Sequence, residues 1–389
     1  MFSSFEKKSI SLITLLYFFR MLGAFMIFPV LSVFADSYEF STPFLIGITL
    51  GIYGLTNAAM QIPFGLLSDR YGRKIIILIG LSIFLIGSVI CANTNNIFYL
   101  ILGRGLQGAG AISGVLMALL TDSTSEKNRT ISMAIVGVAI GAAFFSAFIV
   151  GPLVSKYFDL SGLFVLIIFL TLLSLLLIIP FKNTSGTQKK QFRYNLKQLI
   201  CDKKLNSFFF DILILHMVLT SIFIAIPVMM TEKYSIVIDD FPQIYSSIFI
   251  LSLVVTLPLL GFERKKPTLV RNLSLTILTI SLIFAYLFFD SSLMIIMSAL
   301  VCYIGSFSVL EAGIPSTLSK NTNSENRGLT MSIYTSFQFF GTFLGGFIGG
   351  YLYDTTGLSG IFFFTAVISV VWTFNCLVIK NKGVSIVSQ

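Results

Sequence analysis

What most constrains this chain is a succession of apolar runs, each about 20 residues long, the length an α-helix needs to cross a bilayer. Such runs can be placed at 10–35, 44–68, 75–92, 97–121, 131–155, 161–181, 206–231, 243–262, 268–289, 292–318, 328–353 and 358–380. Twelve spans use most of the 389 residues and leave no length for a soluble catalytic domain. With 56% hydrophobic against 11% charged residues and a mean hydropathy of +0.92, a soluble fold could not hide the apolar surface. The fold class expected is an all-α membrane protein of twelve transmembrane helices.

The net charge of +9 would suit a nucleic-acid partner if it were spread over one face of a soluble domain, but here the charges sit in the loops. Lys7, Lys8, Arg70, Arg73, Lys74, Lys127, Arg129, Arg264, Lys265, Lys266, Arg271, Lys320, Arg327, Lys380 and Lys382 fall on one side of the twelve-span layout. The other side has only Lys156 and Lys233 beside Asp36, Glu39, Asp159, Glu232, Asp239, Asp240, Asp290 and Asp354. Basic loops face the cytoplasm, so both termini are expected there, in a multi-pass membrane protein. The longest polar stretch joins the basic side, which divides the chain into an N-terminal six-helix bundle at 1–181, a cytoplasmic basic linker at 182–205 and a C-terminal six-helix bundle at 206–389. The first apolar run is too long for a leader peptide and contains Arg20, so it reads as a span. Cys91, Cys201, Cys302 and Cys376 lack metal-ligand spacing and read as reduced core residues.

An internal repeat supports the division into halves. Leu120 to Met133 (LTDSTSEKNRTISM) echoes Leu318 to Met331 (LSKNTNSENRGLTM), placing Asn128, Arg129 and Met133 on Asn326, Arg327 and Met331 at an offset of 198 residues. Two polar loops of similar composition could mimic this, but the shared Asn-Arg step and the half-chain offset favour two parallel six-helix repeats with a solute site between them.

Between the second and third spans the chain reads Gly65-Leu-Leu-Ser-Asp69-Arg70-Tyr-Gly72-Arg73-Lys74, which resembles the signature of the major facilitator superfamily. Arg104-Gly-Leu-Gln107-Gly108 resembles the second motif of that family's drug–proton antiporter branch, and Gly151-Pro152 its third, although Val138, Ala147, Ser155 and Lys156 stand where further glycines are usual. RMLGAFMIFPVL, GIYGLTNAAMQIPFGLLSDRYGRK and LEAGIPSTLSK look like stretches of the bacterial YajR-type transporters, without the soluble domain that such proteins can carry after the last span. The resemblance implies alternating access. It also implies that Asp69 reaches the N-terminus of the eleventh helix across the halves, and that Arg73 pairs with Asp122, so that Gly65, Asp69, Arg70, Gly72, Arg73 and Asp122 latch the cytoplasmic side. The plainer alternative is that these charges anchor a loop to lipid head groups.

Ionisable groups deep in a span are costly, so each is a functional candidate. Arg20, Arg104, His216 and Glu311 fall one each on spans 1, 4, 7 and 10, which line the central cavity in the family resembled. A carboxyl at Glu311 in a low-dielectric cavity could load and release protons near neutral pH, and His216 titrates in that range by nature. Arg104 keeps its proton and would act on a neighbour or on an anionic group; Arg20 could instead tie its helix to a backbone carbonyl. Asp211, nearer the basic side, reads as interfacial. Tyr53, Asn57, Gln61, Gln107 and Gln338 are weaker candidates for the substrate cavity, amid 40 Phe residues that mostly face lipid or pack.

The function expected is proton-coupled export of a small or amphipathic molecule by a monomer, with a proton-coupled nutrient symporter and a membrane sensor without transport as alternatives. One His and one central Glu give no catalytic or metal cluster, so no enzyme activity, metal or cofactor is expected; the partners are the solute, protons and the bilayer, not nucleic acid.

Overall fold

The computed structural model describes residues 2–181, 199, 202–263, 265–323 and 327–380. The described residues are almost entirely helical; their one β feature is an isolated bridge between Glu39 and Asn96. Ten helical runs are long and apolar enough to cross a bilayer. Two of these, Glu126–Ile178 with 53 residues and Arg327–Phe374 with 48, are each far longer than the roughly 30 Å apolar core requires. Each leaves helical geometry once, at Asp159 (φ 55°) and at Gly357 (φ 72°). There the chain turns back, so ten runs make twelve crossings.

The crossings are α1 (Ser4–Phe25), α2 (Pro43–Tyr71), α3 (Arg73–Ala92), α4 (Ile97–Asp122), α5 (126–158), α6 (160–178), α7 (Lys203–Val228), α8 (Phe241–Glu263), α9 (Pro267–Leu287), α10 (Leu293–Lys320), α11 (327–356) and α12 (358–374). Local chemistry sets several of the ends. Ser3 and Glu6 form a reciprocal capping box on α1, Thr42 caps α2 ahead of Pro43, and Gly72 at φ 98° both ends α2 and starts α3. Only a residue without Cβ turns so sharply there without strain. The predicted linker falls outside the described residues, apart from Leu199 and the stretch from Asp202 that begins α7.

The halves meet along two seams, α2 against α11 and α5 against α8. Towards the side of the acidic loops the first seam is glycine on glycine: a Cβ on Gly47 or Gly54 would collide with the carbonyl oxygen of Gly346 or Phe339. The second is aromatic, with Phe144, Phe145 and Phe148 packed on Phe249 and Phe148 also on Tyr245. It ends in an ion pair between Lys156 and Asp239 at 2.8 Å. Towards the basic side the same helices part, and Gly65, Gly137, Gly261 and Gly328 have nothing within 4 Å of an added Cβ. The described molecule is therefore closed at its acidic face and splayed at its basic face.

Both cations that broke the charge asymmetry are held by acids, since Lys233 pairs with Asp290 at 2.7 Å as Lys156 does with Asp239. Asp211, placed near the basic end of its span by the sequence, is 2% exposed and accepts hydrogen bonds from Arg271 on α9 (3.0 Å) and from the indole N–H of Trp372 on α12 (2.9 Å). That carboxylate staples three helices of the C-terminal half. Asp211→Ala leaves Arg271 and Trp372 without their acceptor and is expected to destabilise the protein by about 1 to 3 kcal/mol, read as a lowered denaturation midpoint in detergent.

Candidate functional site

The C-terminal half brings three polar side chains together from three helices. His216 of α7 places Nε2 3.0 Å from Glu311 Oε2 of α10, while Gln338 of α11 places its amide nitrogen 2.8 Å from that same Nε2 and 2.9 Å from Glu311 Oε1. His216 is nearly buried, its side chain 12% exposed, and Phe307 covers its ring edge-on; the Glu311 side chain is 35% exposed. An imidazole nitrogen offers one in-plane position, either a hydrogen or a lone pair. Two partners compete for it. With a hydrogen on Nε2 it donates to Glu311, and the amide must turn; with a lone pair there, it accepts either from Gln338 or from a protonated Glu311, not fully from both. A single proton thus selects between two hydrogen-bond patterns. His216 and Glu311 were both legible as intramembrane ionisable groups; their third member, Gln338, was placed with the weaker cavity candidates.

The N-terminal half holds its two intramembrane cations differently. Arg104 of α4 is fully buried, donates to Gln107 Oε1 at 2.6 Å and lies over the Tyr53 ring at 4.9 Å. Gln107 in turn donates to Ser88 of α3 at 2.8 Å. Arg20 of α1 is 3% exposed and lies over the Phe84 ring, 4.8 Å from its centroid. Among the described residues it donates no hydrogen bond, so it does not tie its helix to a carbonyl. Asn57 and Gln61 are buried on the same face of α2 as Tyr53. The five cavity candidates therefore divide: Gln338 belongs with His216 and Glu311, Gln107 links Arg104 to α3, Tyr53 lies under Arg104, and Asn57 and Gln61 follow it along the same buried face of α2.

Glycines let these helices approach. A Cβ on Gly108 would collide with the Tyr53 carbonyl, and one on Gly151 with the Met26 carbonyl, where α1 ends in turns between Met26 and Val30. Pro152 follows inside α5. In the loop between α2 and α3, Arg73 pairs with Asp69 at 2.5 Å and Asp122 at 3.2 Å, and also donates to Ser68 at 2.6 Å. All of these belong to the N-terminal half; among the described residues Asp69 makes no ion pair or hydrogen bond to α11. Arg70 lies over Tyr71, and Gly65 has open space around it.

One further carboxylate was missed. Glu6 accepts from the Ser125 backbone N–H and hydroxyl, both at 2.8 Å, and from the Asn128 amide, joining the start of α1 to the start of α5. Its only sequence signal was the Ser3–Glu6 spacing of a capping box.

A family model described as the Major Facilitator Superfamily matches residues 13–322 and 262–385. The inner membrane transport protein YajR of Escherichia coli is 33% identical over 364 residues, covering 91% of this chain and 79% of the relative. An uncharacterized transporter of Buchnera aphidicola subsp. Baizongia pistaciae is 33% identical over 378 residues, covering 94% of this chain and 95% of that one. Among solved structures, a bacterial homologue of the human lysosomal transporter Spinster, in an inward-facing and occupied conformation, superposes with a TM-score of 0.79 at 13% identity and 98% coverage of both chains.

Proposed function

Because the chain belongs to the major facilitator superfamily and is a multi-pass membrane transporter rather than an enzyme, we propose that it is a proton-coupled secondary transporter of the drug–proton antiporter branch, exporting a small or amphipathic molecule by alternating access between two six-helix halves. The observation that carries proton coupling is the contact of His216, Glu311 and Gln338, in which one proton decides the hydrogen-bond pattern. Gln338 lies on α11, the helix whose glycines meet α2 of the other half. A change of proton at Glu311 is thus felt by the helix that closes the acidic seam.

With the basic loops in the cytoplasm, the conformation described is the inward-facing one, and the acidic seam is the periplasmic gate. The monomer and the bacterial inner membrane complete this reading. The test uses inverted and right-side-out vesicles carrying the protein, loaded with a pH-reporting dye and offered a panel of amphipathic solutes. Export by antiport discharges an acid-inside gradient in inverted vesicles as solute enters; symport accumulates solute in right-side-out vesicles when the outside is acid. No solute-dependent proton movement in either orientation would refute proton coupling.

The signature loop gives a separate prediction. Asp69 is half-exposed and free of α11 in this conformation, whereas in the outward-facing one it would accept from the N-terminus of α11, where the helix dipole favours a negative charge. Asp69→Asn removes that charge and is expected to cost the outward-facing state about 0.3 to 1 kcal/mol. A cysteine introduced at Gly137 should then react about two- to fivefold faster with a hydrophilic thiol reagent from the basic side. Unchanged labelling would dismiss the latch.

A further inference from the structure

The N-terminal half carries two positive charges in its interior and no negative one to meet them. Every acid of α1–α6 and their loops lies at a helix end or beyond it: Glu6, Asp36, Glu39, Asp69, Asp122, Glu126 and Asp159. Neither Arg20 nor Arg104 forms an ion pair among the described residues, whereas Arg73 forms two. All three guanidinium nitrogens of Arg20, and Nε and Nη2 of Arg104, are buried without a hydrogen-bond acceptor. One turn along α2 from Tyr53, which lies under Arg104, Asn57 is fully buried with both amide atoms unpaired. Buried donors in such numbers are rare in folded proteins, and buried like charges without a counter-charge rarer.

The two cations are tied to neighbouring positions on one helix. Phe84, beneath Arg20, and Ser88, which holds Gln107 and through it Arg104, are one turn apart on α3, and the Ser88 hydroxyl donates to the Phe84 carbonyl at 2.7 Å. Each guanidinium lies over an aromatic ring, Arg20 over Phe84 and Arg104 over Tyr53, and most of its N–H donors have no acceptor. A planar fork of N–H donors matches a carboxylate or a phosphate, two oxygens to two hydrogens.

We infer that Arg20 and Arg104 form the recognition site for an oxyanion, the carboxylate or phosphate-like head of the transported solute, with Asn57 as a further donor and the rings of Phe84 and Tyr53 bordering its apolar body. The inference rests on the transport reading above and narrows its solute to an amphipathic organic anion. It also separates two tasks. The N-terminal half reads the charge of the cargo, and the C-terminal half handles the proton.

The test is equilibrium binding to the purified full chain, followed as the unfolding temperature in detergent at constant ionic strength, with benzoate, phenyl phosphate, the uncharged benzamide, the cationic benzylamine and chloride as probes. Benzoate or phenyl phosphate should raise the unfolding temperature in a saturable way, and whichever does so names the head group; benzamide, benzylamine and chloride should not. Arg20→Lys and Arg104→Lys keep the charge but lose the fork, so each should weaken the anion response about tenfold, read as the shift from that variant's own unfolding temperature without probe. Glu311→Gln should leave the anion response intact. A response to benzamide equal to that of benzoate, a response to chloride alone, full affinity in both lysine variants, or no shift with either oxyanion up to tens of millimolar would each overturn the site. Failure of proton coupling in vesicles with anion binding intact would instead count against the transport reading, so the two stand or fall separately.

Discussion

Glu311→Gln is expected to abolish transport driven by a pH gradient, lowering it by at least about two orders of magnitude, the range over which removal of a proton-transfer group acts. Solute exchange without a gradient should remain measurable in the same vesicles. The substitution keeps the size of the side chain and an oxygen that can still accept from Gln338, which now lies 2.9 Å from Glu311 Oε1, so the packing of α7, α10 and α11 survives. What is lost is the choice. A neutral amide at residue 311 can neither take up nor release a proton, so α11 no longer follows the protonation of a carboxyl. Wild-type pH dependence in this variant would remove Glu311 from the mechanism.

Gly47→Ala is the second large effect expected, and it acts on the opposite side of the cycle. The new methyl would meet the Gly346 carbonyl and the Gly350 backbone, neither of which can swing aside as a side chain does. Overpacking of this kind costs roughly 1 to 3 kcal/mol. The cost falls only on the conformation in which α2 and α11 touch at the acidic end. The population should therefore move about 10- to 100-fold towards the conformation open at the acidic face. A cysteine placed at Phe44, in the first turn of α2, would report this as faster labelling by an impermeant maleimide from the acidic side, with slowed transport. Cys91 and Cys376 are buried, and the half-buried Cys302 is replaced by Ser in both proteins to remove its background. Equal labelling with and without the methyl would mean that the glycine seam does not gate.

The parts of this structure that sequence revealed are those for which one residue, or a local run, carries the physics. Apolar length exposed the spans, because every backbone group in a bilayer must be satisfied within its own helix. Rarity exposed Arg20, Arg104, His216 and Glu311, because an ionisable side chain has no cheap reason to be inside a span. What stayed hidden depends on pairs far apart in the chain. The staple at Asp211 was not legible because its partners, Arg271 and Trp372, lie on helices that only the fold brings near. Lys156 and Lys233 read as exceptions to a charge rule until Asp239 and Asp290 were found beside them. Gln338 carried no signal of its own, since a glutamine in a polar-lined helix is ordinary; its distance to two titratable groups is what singles it out. The turn between α5 and α6 was placed as a gap of several residues, whereas the backbone reverses at the single residue Asp159.

Asp159 and Gly357 lie 198 residues apart, the same interval that separates the two Asn-Arg loops. Both residues turn the chain with a positive φ, yet only one of them is a glycine; an aspartate tolerates that region because its short side chain bonds locally. The two halves thus make the same corner with different residues, so at this point backbone geometry shows their correspondence where the side chains do not.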